Sequence, residues 1–154
     1  VSELSAKAWL LEFSRNQVAA VGLHELVEVL SRPKLYHVPM ASPRSHQVLV
    51  WRDEILPVVD FGAISTSEPE DALPGGVVTA IAVYQTVPGE PLRHGALQLA
   101  VMPRTLTVTD NMACAFPETN SSLDKLTISC FSFENYAVPI IDLTRVFERA
   151  PREL

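Results

Sequence analysis

Two stretches of this chain read alike, and together they limit what it can fold into more than any other feature. Trp51-Arg-Asp-Glu-Ile-Leu-Pro-Val-Val-Asp-Phe61 aligns with Phe133-Glu-Asn-Tyr-Ala-Val-Pro-Ile-Ile-Asp-Leu143. In both, an aromatic leads into a tight polar turn. A strand follows that carries Pro, two β-branched residues, an Asp and a large apolar residue. Asp53-Glu54 and Asn135-Tyr136 sit where a hairpin would reverse, because Asp and Asn tolerate the unusual backbone angles of such turns. Asp60 and Asp142 are placed to cap a following helical turn. Behind Asp142, residues Leu143, Val146 and Phe147 form an apolar stripe at helical spacing. The repeat predicts two similar β lobes, one built on each copy; chance likeness between two buried hairpins is the alternative.

The rest of the chain agrees with a β architecture. Its apolar residues come in short runs, rich in Val and Ile and bounded by turn residues. These predict strands near 8–14, 17–22, 47–52, 54–60, 76–86, 94–101, 104–109, 125–133 and 135–141. Helical spacing is confined to His24–Leu30 and Asp142–Arg149. The stretch 65–76, acidic and rich in Pro and Gly without periodicity, reads as a linker. At 154 residues the chain suits one domain or two small lobes sharing a core. Many short strands at regular spacing make that domain a barrel or a sandwich.

Composition narrows the function. A net charge of −6, with no Lys/Arg cluster, argues against a nucleic-acid partner and against attraction to an anionic membrane. No run approaches the ~20 apolar residues of a spanning helix, so no membrane insertion is expected. The first residues lack the pattern of a secretory signal, which points to a cytoplasmic protein. Cys114 and Cys130 lie in strand-like apolar contexts and read as buried thiols, with a disulfide as the alternative. His24, His37, His46 and His94 are scattered, without metal-ligand spacing. There is no phosphate-binding Gly loop and no nucleophile elbow. Ser42, Ser45 and His46 lack a third group to orient a base. The expectation is therefore no enzyme activity, no cofactor and no metal.

One longer stretch carries a family resemblance. Phe13-Ser-Arg-Asn-Gln-Val-Ala-Ala-Val21 looks like an opening hairpin, followed by His24-Glu-Leu-Val-Glu-Val-Leu30 and Val38-Pro-Met-Ala-Ser-Pro43. Then comes Val48-Leu-Val-Trp-Arg-Asp-Glu-Ile-Leu-Pro-Val-Val-Asp-Phe61. In order and spacing these resemble the CheW family, the coupling proteins that link chemoreceptors to the histidine kinase of bacterial chemosensory arrays. Val138-Pro-Ile-Ile-Asp-Leu143 resembles the family's closing strand and helix, and His94–Val101 its middle hairpin strand. The resemblance implies an all-β fold, two five-stranded SH3-like barrel lobes sharing a core with short helices, in one domain over 1–154. It implies two partners, a histidine kinase regulatory domain and the cytoplasmic tip of a chemoreceptor. The chain departs from the family's Gly-x-x-Asn-Leu-Arg-Gly pattern: Gln47 replaces the first Gly, Val50-Trp51 stands for Asn-Leu, and Asp53 replaces the last Gly. Such departures suit a divergent or accessory coupling protein, for example one serving a pilus-linked system.

The resemblance also nominates protein-binding residues. Arg52 matches the family's Arg near the groove between lobes; its bland alternative is an ion pair with Asp53, Glu54 or Asp60 that fixes the hairpin. Glu28 matches the Glu of the family's Glu-Val/Ile turn, against a solvated charge. Leu26 and Val29 are candidates to line a groove for a receptor helix, against plain core packing. Pro57, Val58 and Val59 are assigned to core and edge geometry, and Trp51 to either burial or an interface anchor. The competing function is a small-molecule-binding or hydrolytic β-barrel whose loops 42–46 and 93–94 line a pocket. A deep polar pocket with perturbed ionisable groups would favour it, and a shallow apolar groove would favour the adaptor.

Overall fold

The computed structural model of the chain describes residues 4–14, 17–39, 47–60, 78–115 and 125–149. The expected linker at 65–76 lies outside the described residues. The fold is the expected all-β arrangement of two lobes, each a curled sheet. The strands are β1 (Ser5–Ser14), β2 (Gln17–Gly22), β3 (Leu26–Ser31), β4 (Tyr36–His37), β5 (Gln47–Trp51) and β6 (Glu54–Asp60). They continue with β7 (Val78–Tyr84), β8 (Arg93–Leu99), β9 (Arg104–Thr109), β10 (Thr127–Phe133) and β11 (Tyr136–Ile141), and α1 covers Leu143–Arg149. One sheet runs β10-β11-β2-β1-β9 and the other β3-β7-β8-β6-β5-β4. Apart from the short edge strand β4, the two orders are equivalent, each with a hairpin beside a parallel neighbour. Neither lobe comes from one half of the sequence. The opening hairpin β1–β2 joins the last three strands, while β7–β8 joins β3, β5 and β6.

The repeated segments make the same hairpin. Arg52 and Asp53 take φ of 49° and 64°, and Glu134 and Asn135 take 49° and 68°. Positive φ at both central positions defines a type I′ turn, whose twist matches that of the flanking strands. The reversal thus lies one residue earlier than the sequence reading placed it, at Arg52-Asp53 and Glu134-Asn135. Trp51 then pairs with Glu54, and Phe133 with Tyr136. The repeated Pro has a physical reason too. Antiparallel pairing places Pro57 opposite Val48, but the parallel ladder of β6 with β8 begins only at Val58. Likewise, Pro139 pairs Cys130, while Ile140 makes the contact with Ala20 of β2. Each Pro stands just outside the second ladder, where a missing N–H costs least.

Each lobe has its own core. Leu49, Trp51, Leu56, Val58, Ile81 and Ala96 fill one; Leu10, Ala20, Phe131 and Val138 fill the other. Between them a third cluster draws on both sheets, including Leu11, Ala19 and Val21 from one and Val59, Ala80, Leu97 and Leu99 from the other. Helix α1 closes this shared core with Leu143, Val146 and Phe147, as the apolar stripe predicted. Asp142 caps it, accepting the Thr144 N–H at 3.0 Å. The Phe147 ring lies so close over β8 that a Cβ at Gly95 would come within 2.3 Å of it, so only Gly fits there.

The helix expected over His24–Leu30 is a correction. Only Leu23–Glu25 forms a 3₁₀ turn, and the chain then runs as β3, antiparallel to β7. A bulge between Leu26 and Glu28 shifts the register, so that Leu26 pairs Ala82 while Glu28 pairs Ile81. The bulge puts Leu26 and Val29 on the same face, packed against the shared core. A spacing of three residues along one face is what a helix also produces, which is why the segment reads as helical.

Candidate functional site

The sequence candidates Glu28 and Arg52 come together at the tip of the β5–β6 hairpin. Trp51 faces inward and is 8% exposed, with its ring in the lobe core. A buried indole N–H needs an acceptor, and Trp51 Nε1 donates to Glu28 Oε2 at 2.5 Å. Arg52, next along the chain, lays its guanidinium over the same indole at 4.5 Å from the ring centroid. Its Nη2 stands 3.9 Å from Glu28 Oε2, with the Arg52 side chain 68% and the Glu28 side chain 40% exposed. An ion pair this long and this open contributes only about 0–1 kcal/mol, and the cation–π contact roughly 0.5–1 kcal/mol. Neither requires Arg52 for folding. What the arrangement does is hold a cation and a carboxylate, both still open to solvent, in fixed positions on a buried aromatic base. Beside them, His94 packs on Trp51 with ring centroids 5.1 Å apart, and its Nδ1 lies 3.6 Å from Glu54 Oε2.

Leu26 does not join this site. The β3 bulge turns it to the opposite face, half-buried against the shared core, whereas Glu28 and Leu30 face the β5–β6 lobe. The reading of the motif also passed over two exposed residues. Val50 and Ile55 pair across β5 and β6 on the outer face of the same hairpin, 58% and 70% exposed. Val50 and Ile55 thus leave a cross-strand apolar pair in water beside the fixed charge pair. The alternation Val48-Leu-Val-Trp51, with Leu49 and Trp51 inward, was the signal for it.

The second lobe carries the same construction with the charges exchanged. Following the registers through Val58, Ala96 and Ile81 on one side, and Ile140, Ala20 and Leu10 on the other, Glu28 is equivalent to Arg104. Trp51 and Arg52 are equivalent to Phe133 and Glu134. Arg104 places its guanidinium 5.8 Å from the Phe133 centroid and its Nη2 4.0 Å from Glu12 Oε1. These residues line a hollow of about 180 Å³ together with Leu10, Val18 and Tyr136. Where one lobe presents a cation at the β5–β6 turn and an anion on β3, the other presents an anion at the β10–β11 turn and a cation on β9. The repeat held this signal in the substitution of Glu134 for Arg52, but only the strand registers identify Arg104.

The loop at 42–46 proposed for a small-molecule pocket lies outside the described residues, and Arg93 is engaged elsewhere, donating to Glu148 Oε1 at 2.7 Å. A cleft of about 470 Å³ between the 3₁₀ turn and α1 includes His24, Glu25, Tyr84 and Asp142. Two of its groups are perturbed. Burial raises the Glu25 carboxyl above its usual range, against a hydrogen bond from Gly22 N–H, with Asp142 adding to the rise. Burial, together with a hydrogen bond to Glu148, pushes Tyr84 up to about 12. Both groups have structural work: Glu25 holds the turn through Gly22, and Tyr84 ties β7 to α1. Among the described residues, no three His, Cys, Asp or Glu side chains gather as a metal cage, and no helix is long and apolar enough to cross a membrane.

A family model described as the CheW-like domain matches residues 10–87. Among solved structures, the chain resembles the scaffolding protein TtCheW from Thermoanaerobacter tengcongensis with a TM-score of 0.68 at 13% identity. The likeness covers 94% of this chain and 88% of that one, and it is a likeness of fold. No curated protein matches the chain.

Proposed function

We propose, from the premise that the chain belongs to the CheW-like domain family, that it is an adaptor coupling chemoreceptors to a histidine kinase by protein–protein binding. It acts as one domain over 1–154, in the cytoplasm, without chemistry of its own. Its mechanism is occupancy and geometry: kinase activity depends on how the receptor and the kinase regulatory domain are held together. The observation that carries this reading is the Glu28–Trp51–Arg52 cluster, two open charges of opposite sign fixed on a buried aromatic at a hairpin tip. The exposed Val50 and Ile55 beside it supply the apolar surface that a receptor's helical tip would need. The charge-reversed counterpart around Arg104, Phe133 and Glu134 supports a second, different partner on the other lobe, since like sites of opposite sign reject each other's ligands. A pilus-linked system remains within this reading as one setting for such an adaptor.

The test measures affinity and thermal unfolding on the same variants. Affinity purification from native lysate identifies the kinase and receptor. Arg52→Ala is then expected to weaken one of those contacts by roughly 1–3 kcal/mol, the range of interface arginines, with stability changed by at most ~2 kcal/mol, the ion pair and the cation–π contact together. Glu28→Ala is expected to weaken the same contact and to cost a further ~1 kcal/mol of stability, because the Trp51 N–H loses its acceptor. Unchanged affinity per folded molecule in both variants would remove the site from the map.

A further inference from the structure

The two cysteines lie across from each other where the chain leaves β9 and meets β10. Ala113 bridges Phe131, and Cys114 N–H donates to Cys130 O at 3.4 Å, which makes the two cysteines direct cross-strand neighbours. Their sulfurs are 3.0 Å apart and both are free thiols. Hydrogen-bonded neighbours of this kind are about 5.5 Å apart at Cα, inside the ~4.4–6.8 Å that a disulfide spans. Closing the bond therefore needs side-chain adjustment and no rearrangement of the strands. The surroundings differ at the two ends. Cys114 is half-buried, while Cys130 is 3% exposed and forms part of the wall of an apolar hollow of about 410 Å³ with Ala8, Ala20, Phe131 and Ile140. The Cys130 thiol has Cys114 O at 3.1 Å and Ala115 O at 3.4 Å as acceptors.

We propose that Cys114 and Cys130 form a reversible oxidation site, closed by low-molecular-weight disulfides and reopened by thiols. Thiol–disulfide exchange proceeds by thiolate attack through a mixed disulfide. Accessible Cys114 gives up its proton and attacks first: its sulfur bonds to one sulfur of the small disulfide, whose S–S bond breaks and releases one small thiolate, which takes up a proton. Cys130 then gives up its proton and attacks the Cys114 sulfur, breaking the mixed disulfide and releasing the second thiolate, which takes up a proton. Two protein thiols are oxidised by two electrons and one small disulfide is reduced to two thiols. The order follows from access and from the buried thiol: burial, with the Cys114 sulfur beside it, pushes Cys130 up to about 11, so it is a poor thiolate in the first step. Once Cys114 carries the adduct, the contact between the sulfurs makes the second attack intramolecular. The resulting bond ties the end of the segment after β9 to β10, across the stretch between them.

The test uses the whole chain with oxidised glutathione as probe. Wild type is expected to lose two hydrogen atoms in intact mass, to yield a Cys114–Cys130 peptide on digestion, to gain several degrees in Tm, and to return to the starting mass with excess thiol. Cys130→Ser is expected to stop at a stable glutathione adduct on Cys114, and Cys114→Ser to react far more slowly. The rate of ring closure in wild type should rise with pH, since the thiolate is the attacking form. A lasting glutathione adduct on Cys114 of folded wild type would overturn the proposal. So would a folded chain whose cysteines both stay unmodified, or cross-linking only between molecules.

Discussion

Among the described glycines, Gly95 is where an added Cβ would meet the closest contacts, and Gly95→Ala tests how α1 is held. A Cβ there would lie 2.3, 2.5 and 2.6 Å from Cε1, Cζ and Cδ1 of Phe147, where carbon atoms want roughly 3.5–4 Å. The ring would have to withdraw by about 1 Å along the line of contact. It has little freedom to do so: Phe147 is 4% exposed and stacks on Tyr84 with centroids 5.3 Å apart and planes at 12°. Overpacking of this kind costs about 1–3 kcal/mol, and a disturbed aromatic pair adds roughly 0.5–1.5 kcal/mol. The entropy that Ala saves over Gly in a strand returns about 0.5–1 kcal/mol. The net expectation is a loss of about 2 kcal/mol, or about 4–8 °C in Tm for a chain of this size. Chemical denaturation of wild type, Gly95→Ala, Phe147→Leu and the double variant checks it. A smaller side chain at 147 should absorb most of the cost, so the two substitutions should be strongly non-additive. A Gly95→Ala change within ~0.5 kcal/mol of neutral, or a double variant equal to the sum of the singles, would refute the close-contact reasoning.

Two further substitutions probe the turns. Asp53→Gly relieves a non-Gly residue at φ 64° and is expected to stabilise the chain by about 1 kcal/mol; a lowered denaturation midpoint would contradict the turn assignment. Glu25→Gln keeps an oxygen for the Gly22 N–H, which Glu25 Oε1 accepts at 2.7 Å, and removes the buried charge. Because burial raises the folded carboxyl, folding favours the protonated form. That contribution is present below the unfolded value and is lost as pH rises through the folded one. The Tm of Glu25→Gln relative to wild type should therefore climb as pH rises above the ordinary Glu value of about 4.3, and a difference that stays flat from acid to neutral pH would refute the assignment.

Much of this fold was legible because hairpins and strands are local. The runs read at 17–22, 54–60 and 104–109 are β2, β6 and β9 to the residue, and the stripe behind Asp142 is α1. The misses have physical causes. The bulge in β3 gave Leu26 and Val29 a helical spacing inside a strand. The type I′ turns have Arg52 and Glu134 at their first positive-φ positions, where Asn, Asp or Gly is the usual cue, so composition points to a reversal one residue later. The exchange of hairpins between halves is a matter of pairing between distant strands, to which periodicity is blind. At the site, Glu28 and Arg52 were reachable through the motif. Leu26 was separated from them by the same bulge, and Arg104 could be matched to Glu28 only once β1 was known to pair with β9.

The exchange of hairpins bears directly on what an adaptor of this kind needs. Were each lobe built from one half of the chain, the two hairpin tips would be joined by a single crossing and the spacing between them would depend on it. Here β11 is held parallel to β2 and β6 parallel to β8, so each tip hairpin is anchored on a hairpin from the opposite half. The shared core then bonds the arrangement through side chains of both sheets and of α1. Separating the tip at Arg52 from the tip at Glu134 requires opening that core, where Leu11, Ala19, Ala80 and Leu97 have no exposed surface. Packed interiors transmit displacement instead of absorbing it. Under the proposed function, a partner that shifted one hairpin would load the core on which the other is built.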